Sequence, residues 1–112
     1  MGARDDKIAK YVEENKKLDL GLSDDLITKV TVGLGPSIHK KDSETVSCSQ
    51  ESELNTVKKN FIEKKLGVKD GDKQDAAVKK ACEAMGSSNR NKYRALFYAL
   101  IAKDLGKEGV YA

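Results

Sequence analysis

The sequence predicts an all-α protein: a compact irregular or orthogonal bundle of about five helices, with the most apolar of them, near the C-terminus, at its centre. Three observations carry this expectation. Apolar residues recur at spacings of three and four in five separate segments. There is one proline, Pro36, and the nine glycines fall largely at the ends of those segments, where helices stop. The last segment is apolar around most of its circumference, the pattern of a helix enclosed by others.

The first segment runs from about Asp5 to Lys17. Asp5 and Asp6 favour its first turn through the helix dipole, and Ile8, Tyr11 and Val12 share a face. Residues 1–4 are expected to be disordered. Ser23 is a good N-cap for the second segment, where Leu26, Ile27, Val30 and Leu34 follow at helical spacing. The β-branched run Val30-Thr31-Val32 prefers extended structure, and Gly33, Gly35 and Pro36 end the segment. Residues 37–49 are polar and read as a long loop, with room for a short helical turn after Pro36.

Ser49 caps the third segment, carrying Leu54, Val57, Phe61, Ile62 and Leu66, and Gly67 closes it in the left-handed conformation. Asp72 and Asp75 resemble a capping pair for the fourth, whose apolar arc is Ala77, Val78, Ala81, Cys82, Ala84 and Met85 before Gly86. Ser87 or Ser88 caps the fifth, which holds Tyr93, Leu96, Phe97, Tyr98, Leu100, Ile101 and Leu105 and stops at Gly106. Residues 107–112 form a tail. The whole chain, 1–112, is read as one domain, large enough for one core without metals or bridges. That core is mostly aliphatic, since there is no Trp and only two Phe and four Tyr.

Certain functions lack their parts. No apolar run approaches the roughly 20 residues of a membrane span, and Met1–Lys10 has no signal-peptide core, so a cytoplasmic protein with no membrane partner is expected. A single histidine, His39, argues against a zinc or triad site. Gly33-Leu34-Gly35 lacks the third glycine and the lysine of a phosphate loop and is read as a helix breaker. Two cysteines cannot make a disulfide scaffold: Cys82 is expected in the core, and Cys48, in the polar loop, is open to oxidants without an activating neighbour. No catalytic residue, metal ligand or cofactor site is identified.

The net charge of +3 hides an asymmetry. Up to Thr56 there are 8 basic and 11 acidic residues; after it there are 13 and 7, so the halves carry −3 and +6. Either the halves attract each other in the fold, or the basic half meets an anionic partner.

The run Asn60-Phe61-Ile62-Glu63-Lys64-Lys65-Leu66-Gly67-Val68 is preceded by Asp42-Ser43-Glu44-Thr45-Val46-Ser47 and Glu53-Leu54. Asp75-Ala76-Ala77-Val78 and the stretch from Tyr93-Arg94 through Phe97-Tyr98 to Leu100-Ile101-Ala102 follow. Together these resemble a bacterial family known as domain of unknown function 2853, over about Leu26 to Tyr111. The pattern departs where Tyr93 precedes Arg94 and Ala99 follows Tyr98. The resemblance implies a small helical bacterial protein and supplies no activity.

Two basic clusters are the candidate contact sites. On an α-helical wheel, Lys58 and Lys65 fall inside the gap between Val57 with Phe61 and Ile62 with Leu66, interrupting the apolar face of the third segment. They either lay their stems on apolar surface or edge an anion-holding groove. Arg90, Lys92 and Arg94 sit at the head of the fifth segment, where positive charge opposes the helix dipole and needs an offset. An acidic residue such as Asp24 or Asp25 would supply it internally; nucleic-acid backbone would supply it externally. The reading favoured by these residues is a non-enzymatic domain that binds another protein. The alternative is a nucleic-acid-associated accessory protein using the basic half.

Overall fold

A computed structural model describes residues 2–40, 44–86 and 92–111. Ser87, Ser88 and Arg90, and residues 41–43 of the expected loop, lie outside that description. Helix α1 spans Ala3–Leu18, two residues earlier than the apolar pattern suggested, because Gly2 serves as its N-cap and the Gly2 N–H donates to Asp5 at 3.4 Å. Residues 3 and 4, expected outside the helix, are therefore its first turn. Helix α2, Asp24–Leu34, begins as its sequence indicates: Ser23 Oγ accepts from the Leu26 N–H at 3.1 Å. Tertiary burial overrides the extended preference of Val30-Thr31-Val32, since Val30 and Thr31 are fully buried and the Thr31 hydroxyl donates to the Ile27 carbonyl.

The α1–α2 turn is pinned by a residue the sequence reading passed over. Asn15, buried at the end of α1, donates to the Leu22 carbonyl at 2.9 Å and accepts from the Leu22 N–H at 3.1 Å.

The stretch read as one loop is more ordered than its polarity implied. Gly35–His39 forms a 3₁₀ turn that buries Ile38, and Val46 is buried as well. Helix α3 follows over Glu51–Thr56 with Gln50, not Ser49, as its N-cap, and runs on without a break as a π-helix over Val57–Glu63. The wider i→i+5 turn places Val57, Phe61, Ile62 and Leu66 on one buried face. On that face Lys58 and Lys65 are flanking residues rather than interruptions, which corrects the α-helical wheel. Gly67 then adopts φ +74°, as its place after the helix predicted.

Helix α4 spans Gly71–Met85. Its cap is Asp70, whose side chain accepts from the Asp72 and Lys73 N–H groups, not the Asp72–Asp75 pair. Helix α5 covers Arg94–Asp104, several residues shorter than the segment that Ser87 or Ser88 was expected to open. The reason is backbone pairing: Tyr93 forms an isolated antiparallel bridge with Thr45, and the Lys92 carbonyl accepts from the Val46 N–H at 2.8 Å. That pairing holds Tyr93 extended, so the helix starts after it.

Helix α5 is the centre of the bundle. Ala95 to Ala99, Ile101 and Ala102 are buried, and α5 touches α1, α2, α4, the π-helix and a C-terminal 3₁₀ turn over Glu108–Tyr111. The expected tail is thus part of the fold: Tyr111 is half-buried and lies against Gly33, where a Cβ would meet its ring at 3.4 Å. The helices form a compact all-α bundle with a Cα radius of gyration of 12.8 Å, close to the ~13 Å of a compact chain of this length.

Candidate functional site

The segment 44–50 crosses between the N-terminal and C-terminal helices, and its polar residues organise two charged clusters. In the first, Glu44 Oε2 accepts from Lys7 Nζ at 2.6 Å and from the Tyr11 hydroxyl at 2.8 Å, with Lys10 Nζ at 3.5 Å. Burial pushes the Glu44 carboxyl up, but the hydrogen bonds from Lys7 and Tyr11 and the two lysine charges outweigh it and hold it below the ordinary carboxylate range. Tyr11 is fully buried, and burial together with the neighbouring carboxylate drives its hydroxyl far above the usual phenol range, so it remains a donor. The Tyr93 ring packs on Tyr11 at 5.1 Å between centroids and lies under Lys10 Nζ at 4.6 Å.

In the second cluster Arg94, at the first position of α5, closes an ion pair on Glu53 of α3. It also donates to the Tyr98 hydroxyl at 2.9 Å and to the Thr45 carbonyl at 3.5 Å. Burial works against the guanidinium charge, but Tyr98 and Glu53 more than compensate and hold it protonated. Tyr98 in turn stacks on Phe61 with centroids 4.0 Å apart, so the pair is seated on the core. Among the described residues Glu53, not Asp24 or Asp25, offsets the charge of Arg94; Asp25 pairs with Lys29 at 3.0 Å within α2.

The other singled-out residues fall elsewhere. Lys58 reaches Asp75 of α4 at 2.7 Å, and Lys65 Nζ sits 5.0 Å from the Tyr111 ring centroid. Lys92 is 6% exposed and lends its carbonyl to Val46. The structure thus gathers Lys92 and Arg94 beside segment 44–50, while Lys58 and Lys65 flank the π-helix. Arg90 lies outside the described residues. The charge asymmetry is bridged at Arg94–Glu53; Lys7–Glu44, Lys58–Asp75 and Lys80–Asp104 each join residues of the same half.

Cys48 and Cys82 are joined in a disulfide, so Cys48 is not the free loop thiol its sequence context suggested. Cys82 belongs to the edge of the core and is partly exposed. The spacing of 34 residues gives no sign of this bond, which depends on how segment 44–50 crosses to α4.

A groove of about 410 Å³ runs between α4 and α5. Leu20, Ala77, Ala81, Ala84 and Leu100 form its floor; Lys80, Lys103 and Asp104 form its rim. Lys80 pairs with Asp104 at 2.8 Å, and Lys103 donates to the Gly21 carbonyl at 2.8 Å. Small side chains at Ala77, Ala81 and Ala84, on one side of α4, are what keep it open. Sequence reading placed these alanines in the core arc, and nothing in their spacing distinguishes a groove floor from a helix–helix contact. Among the described residues no group of three or more His, Cys, Asp or Glu side chains is placed to hold a metal ion. None of the described helices is long and apolar enough to cross a membrane.

No curated protein matches the chain. A family model does match, over residues 10–109, the greater part of the sequence, from the middle of α1 into the C-terminal turn. The family has no assigned activity. Of the stretches that carry the resemblance, those around Glu44, Glu53, Phe61 and Tyr93–Tyr98 contribute residues to the two charged clusters, alongside Lys7, Lys10 and Tyr11 of α1. The chain belongs to the family described as protein of unknown function (DUF2853).

Proposed function

We propose that the chain is a non-catalytic protein-binding module of the bacterial cytoplasm, docking a partner segment in the groove between α4 and α5. The carrying observation is the groove itself: an apolar floor of small residues with a charged rim, lying away from the paired ionisable clusters. Its size falls within the range of ligand pockets, and its openness suits a side chain or helix edge of another protein. Glu44, Glu53 and Arg94 support the non-catalytic reading, because each is spent on partners that fasten helices together.

Capture from a bacterial lysate, with and without nuclease treatment, tests this, using wild type, Ala84→Arg and Lys59→Ala as bait. Ala84 is exposed and lines the groove, so an arginine there fills the groove without entering the core. A partner held by wild type and by Lys59→Ala but lost by Ala84→Arg supports the reading. Partners released by nuclease favour the nucleic-acid alternative, and capture insensitive to Ala84→Arg removes the groove from the account.

A further inference from the structure

We propose that Cys48–Cys82 is a reversible thiol–disulfide exchange site, opened by a dithiol reductant, whose opening frees segment 44–50 while the helical core stays folded. The segment is held at three places. Glu44 anchors it to α1 through Lys7 and Tyr11; Val46 pairs with the Lys92 carbonyl beside the Thr45–Tyr93 bridge, where the Thr45 carbonyl also accepts from Arg94; and Cys48 ties it covalently to α4. Between these points it has no helix or ladder of its own, only a turn in which the Gln50 N–H donates to the Ser47 carbonyl at 3.3 Å. Such a segment has low local stability and depends on its anchors.

Both cysteines are partly exposed, within reach of an attacking thiolate. Neither lies among the fully buried side chains at the centre of the bundle, which include Tyr11, Ile27, Leu96, Phe97 and Ile101. Breaking the bond therefore leaves the core packing in place. In the exchange, one thiolate of the reductant attacks a protein sulfur and the S–S bond breaks. The other cysteine leaves as a thiolate, which takes up a proton. The second thiol of the reductant then attacks the mixed disulfide. The reductant departs as its own disulfide, and the protein keeps two thiols. A disulfide oxidant such as oxidised glutathione reverses the sequence.

Opening removes the α4 anchor and loosens the cover over Tyr11 and Tyr93, whose rings pack together beneath Glu44 and Thr45. This device is separate from the α4–α5 groove and does not depend on the function proposed for it.

Hydrogen exchange on the oxidised protein, on the protein treated with dithiothreitol, and on a Cys48→Ser/Cys82→Ser double variant tests the proposal. The expected result has three parts: dithiothreitol reduces the bond without denaturant, oxidised glutathione restores it, and the Val46 and Gln50 amides exchange about tenfold faster or more when it is open, while Leu96–Ala102 stay the slowest amides and report only the drop in global stability. The double variant should match the reduced wild type without reductant; if it fails to fold, the wild-type comparison decides alone. A bond that resists dithiothreitol until the protein is unfolded overturns the proposal. So does loss of α5 protection down to the level of segment 44–50, which would make the bond a staple for the whole fold, and so does exchange in the segment that does not change.

Discussion

Arg94, the first residue of α5, is ion-paired to Glu53 of α3, 41 residues earlier in the chain. The same guanidinium spans the Tyr98 hydroxyl and the Thr45 carbonyl, so one side chain fastens the central helix to α3 and to segment 44–50. A planar fork with five donors can serve three acceptors at once; an ammonium on a flexible stem cannot hold the same geometry. The arrangement explains how a helix can begin with a positive charge against its own dipole. It also accounts for the short α5, because the residues before Arg94 are committed to pairing with Thr45 and Val46.

Glu44 gives the fold an acid dependence. Its carboxyl is held below the ordinary range when folded, so its contribution is present above the unfolded carboxylate value and is lost as pH falls through the folded one. Glu44→Gln should cost about 1.5–3 kcal/mol near pH 7, the range for hydrogen bonds to a charged group. Urea denaturation of both proteins from pH 7 to pH 2 checks this: the gap should narrow as pH drops below the ordinary glutamate value and close at the acid end. A gap of constant size would show that Glu44 acts by packing alone.

Reduction of the Cys48–Cys82 bond should lower global stability. A closed loop spanning 34 residues corresponds to roughly 3–4 kcal/mol in the chain-entropy account. Urea midpoints with and without a phosphine reductant measure it. The reduced protein should still unfold in one cooperative step, since both cysteines lie at the edge of the core and neither is among its buried residues.

Phe61 should behave as a core residue despite its place in a π-helix. It is 4% exposed and stacked on Tyr98, so Phe61→Ala should cost about 3–5 kcal/mol. Lys59→Ala, on the exposed side of the same helix, should change stability by less than about 0.5 kcal/mol. Thermal or urea denaturation of the two variants separates a well-packed π-turn from a frayed one.

What the sequence discloses here follows the range of the forces involved. The Ser23 cap, the stop at Gly67 and the buried faces of α2 and α5 depend on residues within one or two turns of each other, and they are legible. The Arg94–Glu53, Glu44–Tyr11 and Cys48–Cys82 pairs span 33 to 41 residues, and many carboxylates and amines compete for those roles in the sequence. Pairing at that range is decided by packing. The π-turn belongs to the same class: Lys58 and Lys65 interrupt an apolar face only while the helix is taken to repeat every 3.6 residues. Asn15 escaped notice because a single amide at a helix end carries no periodic signal. The groove escaped because its alanines look like any other core alanines.

The central claim is that Arg94, at the head of α5, is engaged inside the fold by Glu53 of the acidic half of the chain. A double-mutant cycle on Arg94→Met and Glu53→Gln, read by urea denaturation, tests it most directly. The account predicts a coupling energy of about 1–3 kcal/mol between the two positions. Effects that add to within about 0.3–0.5 kcal/mol would contradict it and return Arg94 to the residues available for an external ligand.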